Sequence, residues 1–178
     1  RVIDVSTPQS PQSRGRAAAL GNPDSIAKLG NHVYLGAGLL GVQVIDVADP
    51  NAPQWVETLY PDDTVVDVSA SAGLLAVSLM NGRVELYEAD ANGSLSQVGQ
   101  YQSTGWVEDT QLIGNELHVM SSTGLVEIVN ITDRAHPVLE ELDAEGGARV
   151  TRRFGADFAV QRGASGGIEI VPIESDEE

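Results

Sequence analysis

Val42-Gln43-Val44-Ile45-Asp46-Val47 carries apolar residues on both faces of an extended chain, with positions 42 and 44 pointing one way and 45 and 47 the other. A strand with one wet face alternates apolar and polar residues, so this strand is expected to be covered on both sides. Gly38 before it and Asp49-Pro50 after it are turn-prone and bound it.

The stretch recurs along the chain. Val2, Val44, Leu86, Ile128 and Ile170 are spaced 42 residues apart, as are Ile3, Ile45, Tyr87, Val129 and Val171, and again Val5, Val47, Ala89, Ile131 and Ile173. All fifteen are apolar. At an apolar content of 42%, one such five-member column arises by chance roughly once in 80, and three lie side by side. A second block keeps the same register: Gly30-Asn31-His32-Val33-Tyr34-Leu35, Ala72-Gly73-Leu74-Leu75-Ala76-Val77, Gly114-Asn115-Glu116-Leu117-His118-Val119 and Ala156-Asp157-Phe158-Ala159-Val160-Gln161. Each reads as a tight turn leading into a strand. The unit predicts strand A near 24–29, B near 32–37, C near 42–47 and D near 54–60, repeated every 42 residues.

Four strands per unit, one of them apolar on both sides, describe a propeller blade flanked by two neighbours. A single sandwich sheet leaves one face polar, and a β-solenoid has shorter coils with one strand direction per face. The expected fold is therefore all-β: a β-propeller segment over 1–178 with about four blades of four antiparallel strands each. Its units fall near 1–22 (partial), 23–64, 65–106, 107–148 and 149–178 (partial). The strand order runs C-D, three times A-B-C-D, then A-B-C. The ring is accordingly expected to be incomplete in this chain, with further sequence or another chain completing it.

Val2-Ile3-Asp4-Val5-Ser6-Thr7-Pro8, Val44-Ile45-Asp46-Val47-Ala48-Asp49-Pro50 and Ile128-Val129-Asn130-Ile131-Thr132-Asp133, followed by Pro11, Pro53 and Pro137, resemble the LVIVD-repeat family over essentially the whole chain. The resemblance implies a propeller of a kind found mostly in exported or surface-associated bacterial and archaeal proteins. Physically, Asp after the strand can cap the turn backbone and Pro fixes φ and ends pairing, so the signature describes the C-to-D corner and gives its Asp residues no catalytic role. Two copies depart from it. In the third, Arg83-Val84-Glu85-Leu86-Tyr87-Glu88 leads into an Asn92-Gly93 turn, and in the last Pro172 stands where Asp46 does and acidic Glu174 to Glu178 follow. Trp55 and Trp106 fall in different repeat columns, which disfavours WD-type blades.

Twenty-six acidic against ten basic residues give a net charge of −16, which repels nucleic acid and anionic membrane surfaces. Among the basic residues only Lys28 is Lys. No Cys is present, so thiol chemistry and disulfides are excluded. The apolar runs are too short for a spanning helix, and the N-terminus has no signal-peptide layout, although Arg1 opens the chain inside a repeat.

Candidate sites follow from the register. Ser25, Asp67, Asp109 and Thr151 share one column at the start of strand A, where a propeller lines the mouth of its central channel, with Asp62, Asp63, Glu108, Arg149 and Arg152 nearby. Carboxylates converging there suit a cation or polar ligand. Glu88, Asp90, Asn92 and Ser94 place oxygens at alternating positions around Gly93, like the first half of a Ca²⁺ loop, while Gly99 stands where such a loop needs Glu. An ordinary hairpin turn explains the same residues. Gly163-Ala164-Ser165-Gly166-Gly167 matches a nucleophile-elbow string but precedes a strand, not a helix. His32, His118 and His136 form no metal-binding pattern.

The sequence thus points first to a non-catalytic protein-interaction or scaffold module, exported to the periplasm, the cell surface or the extracellular space, with loops of one face as its binding surface. Its partners are expected to be another protein or the remaining blades, a homo-oligomer included, without nucleic acid or membrane insertion. No cofactor is expected beyond Ca²⁺ at the Asp90 turn. The alternatives are a fragment of a propeller enzyme with its active site at the channel mouth, and a calcium-stabilised adhesion domain.

Overall fold

The computed structural model describes the backbone of residues 1–143, 152–154, 158–162 and 168–172, and the side chains of 1–142. The chain opens with a two-stranded sheet, β1 (Ile3–Asp4) and β2 (Gln12–Ser13). Three four-stranded antiparallel sheets follow: β3 (Ser25–Leu29), β4 (His32–Gly36), β5 (Val42–Asp46) and β6 (Gln54–Leu59); β7 (Val65–Ser71), β8 (Leu74–Leu79), β9 (Arg83–Ala89) and β10 (Leu95–Gln102); β11 (Val107–Ile113), β12 (Glu116–Ser121), β13 (Val126–Asn130) and β14 (Val138–Asp143). A three-stranded sheet of β15 (Arg152–Phe154), β16 (Phe158–Arg162) and β17 (Ile168–Pro172) ends the array. In every sheet the strands pair in chain order, and the three four-stranded sheets are meanders with the A-B-C-D order the 42-residue unit predicts. Each A, B and C strand of the first complete unit lies within one residue of its predicted place.

The hairpins follow from their turn residues. Ser71 pairs with Leu74 across a two-residue turn in which Ala72 and Gly73 both have positive φ, 48° and 84°. This is the type I′ geometry that matches strand twist, and Gly73 adopts it without steric cost. At the C-to-D corners Asp4 Oδ1 accepts the Ser6 amide at 2.9 Å, Asp46 Oδ1 the Ala48 amide at 2.8 Å and Asn130 Oδ1 the Thr132 amide at 2.8 Å. The recurrent Asp or Asn, the last residue of its strand, is the cap of the corner.

The sheets stack as blades. All six residues of β8 are buried, and they divide between two cores. Leu75, Val77 and Leu79 pack with Tyr34, Val42 and Val44 of the preceding blade, whereas Leu74 and Ala76 pack with Leu117, Val119 and Val129 of the next. Strands β3, β7 and β11 run side by side along the inner edge. This is an open β-propeller array of about four blades. Among the described residues β2 pairs only with β1 and β17 only with β16, so no sheet joins the first unit to the last.

Outer strands meet the corner of the following blade closely. A methyl group at Gly99 of β10 would lie 1.7 Å from the Arg134 carbonyl oxygen, and one at Gly15 would lie 2.7 Å from that of Asn51. Gly99→Ala is therefore expected to push the second and third blades apart at their rim. Unfolding in urea should show a loss of about 1–3 kcal/mol; a loss below about 0.5 kcal/mol, the ordinary surface effect, would contradict this packing.

Candidate functional site

Three blades contribute their inner strands to one cavity of about 410 Å³, walled by Ser25, Lys28, Asp67, Ser69 and Thr110 among others. The column predicted at the channel mouth is thus assembled in part. Ser25 and Asp67 line the cavity, Asp109 is half-buried beside it, and Thr151 lies outside the described residues, as do Arg149 and the Gly163–Gly167 string. Asp67 is 7% exposed. Its Oδ2 accepts the Thr110 amide at 3.0 Å and the Thr110 hydroxyl at 2.9 Å. Thr110 Oγ1 is in turn 3.0 Å from Ser78 Oγ. Ser69 Oγ accepts the Leu112 amide at 3.0 Å. The Asp67 and Ser69 bonds sew β7 to β11, so Asp67 joins two blades as well as lining the cavity. Burial raises the Asp67 carboxyl above its ordinary value, the Thr110 hydrogen bond opposes that, and the Asp109 charge adds to it. Ser25 Oγ is buried without a hydrogen-bond partner, directed toward Gly36, where a methyl group would lie 2.2 Å away.

A second repeat column, 43/85/127, is polar and buried in the middle of strand C. Gln43 and Glu127 are fully buried, and Glu85 nearly so. Gln43 and Glu127 reach the D-to-A loop that opens their own blade, and Glu85 is linked to its loop through Arg83. The Gln43 side-chain amide donates to the Leu20 carbonyl at 2.8 Å, and its Oε1 accepts the Leu20 amide at 2.6 Å. Glu127 Oε1 accepts the Thr104 amide at 2.9 Å and also the Thr104 hydroxyl. Between them Glu85 binds Arg83, whose guanidinium pairs with Asp62, and Tyr87 donates to Glu85 Oε2 at 2.6 Å. Leu20, Asp62 and Thr104 are themselves 42 residues apart. Burial and then the adjacent carboxylate raise the phenols of Tyr87 (beside Glu85) and Tyr101 (beside Glu127) above their ordinary values.

The loops held this way share one face with the B-to-C turns, and that face is apolar. Leu20 (52% exposed), Leu39 (82%), Leu40 (41%), Tyr60 (66%), Met80 (53%) and Trp106 (72%) all lie on it. The loops touch in sequence. A methyl group at Gly21 would be 2.6 Å from Leu40 Cδ1, and one at Gly41 would be 3.4 Å from Tyr60 Cα. Gly38 accepts the Val65 amide at 3.2 Å, Thr64 the Met80 amide at 2.9 Å and Gly82 the Ser103 amide at 2.9 Å. Beside Trp106 a second, shallower cavity of about 410 Å³ is lined by Asn81, Gln102, Ser103, Thr104, Gly105 and Ser122. At the opposite end, the A-to-B and C-to-D turns of the three complete blades carry no exposed large apolar residue among the described residues, although Trp55 and Val138 stand exposed where β6 and β14 leave their corners.

The Asp90 turn lies at that opposite end. Asp90 Oδ1 accepts the Asn92 amide at 2.8 Å and the Ser94 amide at 2.9 Å, and Glu88 pairs with Arg134 of the next blade. Asp90, Asn92 and Ser94 are thus gathered by one turn's backbone, while Glu88 is directed to the rim. Gly93 packs on the preceding blade, where Tyr34 donates to its carbonyl at 3.2 Å. His32 lies beneath it: a methyl group on Gly93 would sit 2.5 Å from the imidazole. Among the described residues no three His, Asp or Glu side chains gather as a metal site, and no helix is long and apolar enough to cross a membrane.

No family model matches the chain, and no curated protein matches it. Solved structures do. The computationally designed Ika4 protein is 13% identical, with 92% of this chain and 98% of that chain covered at a TM-score of 0.66. A protein from Lactobacillus plantarum is 18% identical, with 97% of this chain and 62% of that chain covered at a TM-score of 0.67. The designed Ika8 protein is 13% identical, with 85% and 46% covered at 0.61. The chain therefore spans less than two thirds of the Lactobacillus protein and under half of Ika8. At such identities the likeness is one of fold.

Two outcomes test these contacts. Glu127→Ala removes the acceptor for the Thr104 amide and hydroxyl and should lower the unfolding free energy by about 1–3 kcal/mol. Glu127→Gln, which reproduces Gln43, should lose much less; equal losses in urea would contradict the strut. Asp67→Asn keeps an acceptor for Thr110 but removes the ionisable group. Because the folded carboxyl is raised above its unfolded value, the folded state holds its proton longer, and Asp67 stabilises less as pH rises through that window. The stability of Asp67→Asn relative to the natural protein should therefore increase from about pH 4 to about pH 7. A pH-independent difference would show that burial does not perturb Asp67.

Proposed function

We propose that this chain is a non-catalytic protein-interaction module that binds through the face formed by its D-to-A and B-to-C loops. The observation that carries the reading is the distribution of apolar surface. Six large apolar side chains stand exposed on one face, and the loops that bear several of them are anchored from below by Gln43, Glu85 and Glu127. Contiguous exposed apolar surface on a soluble fold marks an interaction site, and a preformed surface binds with less ordering cost. The engagement of Asp67 with Thr110 supports a structural part for the most buried channel carboxylate, which favours the module over an enzyme acting at the channel mouth. The resemblance to LVIVD-repeat proteins supports an exported or surface-associated setting.

Photo-crosslinking tests this directly. A benzophenone amino acid replacing Trp106 should capture a protein partner in the cells that produce the chain, and the same group at Asn115 in an opposite-face turn should not. Equal capture at both positions, or none at Trp106, would overturn the reading.

A further inference from the structure

We propose that the segment recognised on this face is a cationic, apolar-bearing stretch of a partner protein, seated across Tyr60, Met80 and Trp106. The inference rests on the interaction reading above and adds the chemistry of the partner.

Charge on the face selects the occupant. Asp62 and Asp63 lie in the loop that begins at Tyr60, and exposed Glu108 follows Trp106 by two residues. Among the described residues Arg83 is the cation in these loops, and it is already taken by Asp62 and Glu85, while Asp63 Oδ1 caps the Thr64 amide at 2.6 Å. Arg14 and Arg16 lie on the far loop, and Arg14 is paired with Asp4. Among the described residues, the part of the face between Tyr60 and Trp106 is therefore apolar at its centre and acidic at its edge, on a protein whose net charge is −16. Charge complementarity decides among occupants. A second copy of this chain would bring like charge against like, and nucleic acid and anionic lipid would be repelled. A protein segment with Leu or Trp side chains flanked by Lys or Arg satisfies both components: its apolar groups cover Met80 and Trp106, and its cations meet Asp63 and Glu108.

The cavity beside Trp106 supplies an anchor. Its lining is polar, with Asn81, Gln102, Ser103, Thr104 and Ser122, so one polar side chain entering it meets polar groups next to the exposed indole. Aromatic side chains adjoining such a recess are the usual centres of interface energy.

The test uses three synthetic twelve-residue peptides: Leu/Trp alternating with Lys, Leu/Trp alternating with Glu, and Ala alternating with Lys. Binding to the full chain is read by fluorescence anisotropy at about 150 mM salt, where long-range attraction is screened beyond roughly 8 Å. The Leu/Trp-Lys peptide is expected to bind most tightly and to lose tenfold or more in affinity for the chain carrying Met80→Ser and Trp106→Ser. The Ala-Lys peptide should bind weakly and be indifferent to those substitutions. Both replaced residues are exposed, and an unchanged urea midpoint verifies that the double variant is folded. Equal binding of the Lys and Glu peptides, both lost in the double variant, would overturn the cationic preference while leaving the interaction face standing. Equal binding of both Lys peptides with no effect of the substitutions would overturn the proposal and the interaction face together.

Discussion

Everything in this fold depends on burying a β-sheet on both of its faces at once. A strand such as β8, with its six residues buried, cannot be satisfied by one partner sheet, because alternate side chains point in opposite directions. Leu75, Val77 and Leu79 need one neighbour, and Leu74 and Ala76 need another. Radial stacking supplies both, and each added blade buries a face that the previous one left open. The hydrophobic term is then distributed along the array instead of being gathered in one central core.

The same stacking creates the problem that the polar column solves. A blade buried on both sides has its backbone bonds met by its own meander, but the long connections between blades have no ladder of their own. Gln43, Glu85 and Glu127 rise from the middle of buried strands to those connections. A buried amide or carboxylate is tolerable only when hydrogen-bonded, and here the loop backbone is a partner. The arrangement works in both directions: the strand's polar group gains a loop partner, through Oε1 alone in the case of Glu127, whose Oε2 is buried without one, and the loop is fixed. Because Leu20 and Thr104 are held at the backbone, and Asp62 through Arg83, the apolar residues near them are displayed on a set surface.

The blade, its strands and its corners were legible from sequence because they repeat. Val44, Leu86 and Ile128 recur at equivalent positions and sit in equivalent places, and the Asp46 and Asn130 caps do what turn chemistry requires. The channel column was legible as a place, since Ser25 and Asp67 do line one cavity. What Asp67 does there was not, because its partner Thr110 belongs to the next blade, 43 residues away, and no local pattern links them. The struts were hidden differently. A Glu between Val84 and Leu86, or between Val126 and Ile128, carries no local sign of its partner, because the loop that Glu127 binds lies 23 residues earlier. The apolar face left no periodic trace at all. Leu39, Tyr60, Met80 and Trp106 occupy different repeat columns and meet because D-to-A and B-to-C loops emerge at the same end of every blade. The alternating oxygens of Asp90, Asn92 and Ser94, which look like half a Ca²⁺ loop, form a capped turn whose Gly93 packs on His32 of the preceding blade.

The central claim is that buried strand-C side chains fix the inter-blade loops and so preform the face. Amide hydrogen exchange followed by NMR reads this most directly. The Leu20 and Thr104 amides, although they belong to exposed loop residues, should exchange slowly in the natural protein. Glu127→Ala should accelerate Thr104 while leaving Leu20, held by Gln43, unchanged. Exchange of Thr104 at the rate of an unprotected loop amide in the natural protein, or no acceleration in the variant, would contradict the account.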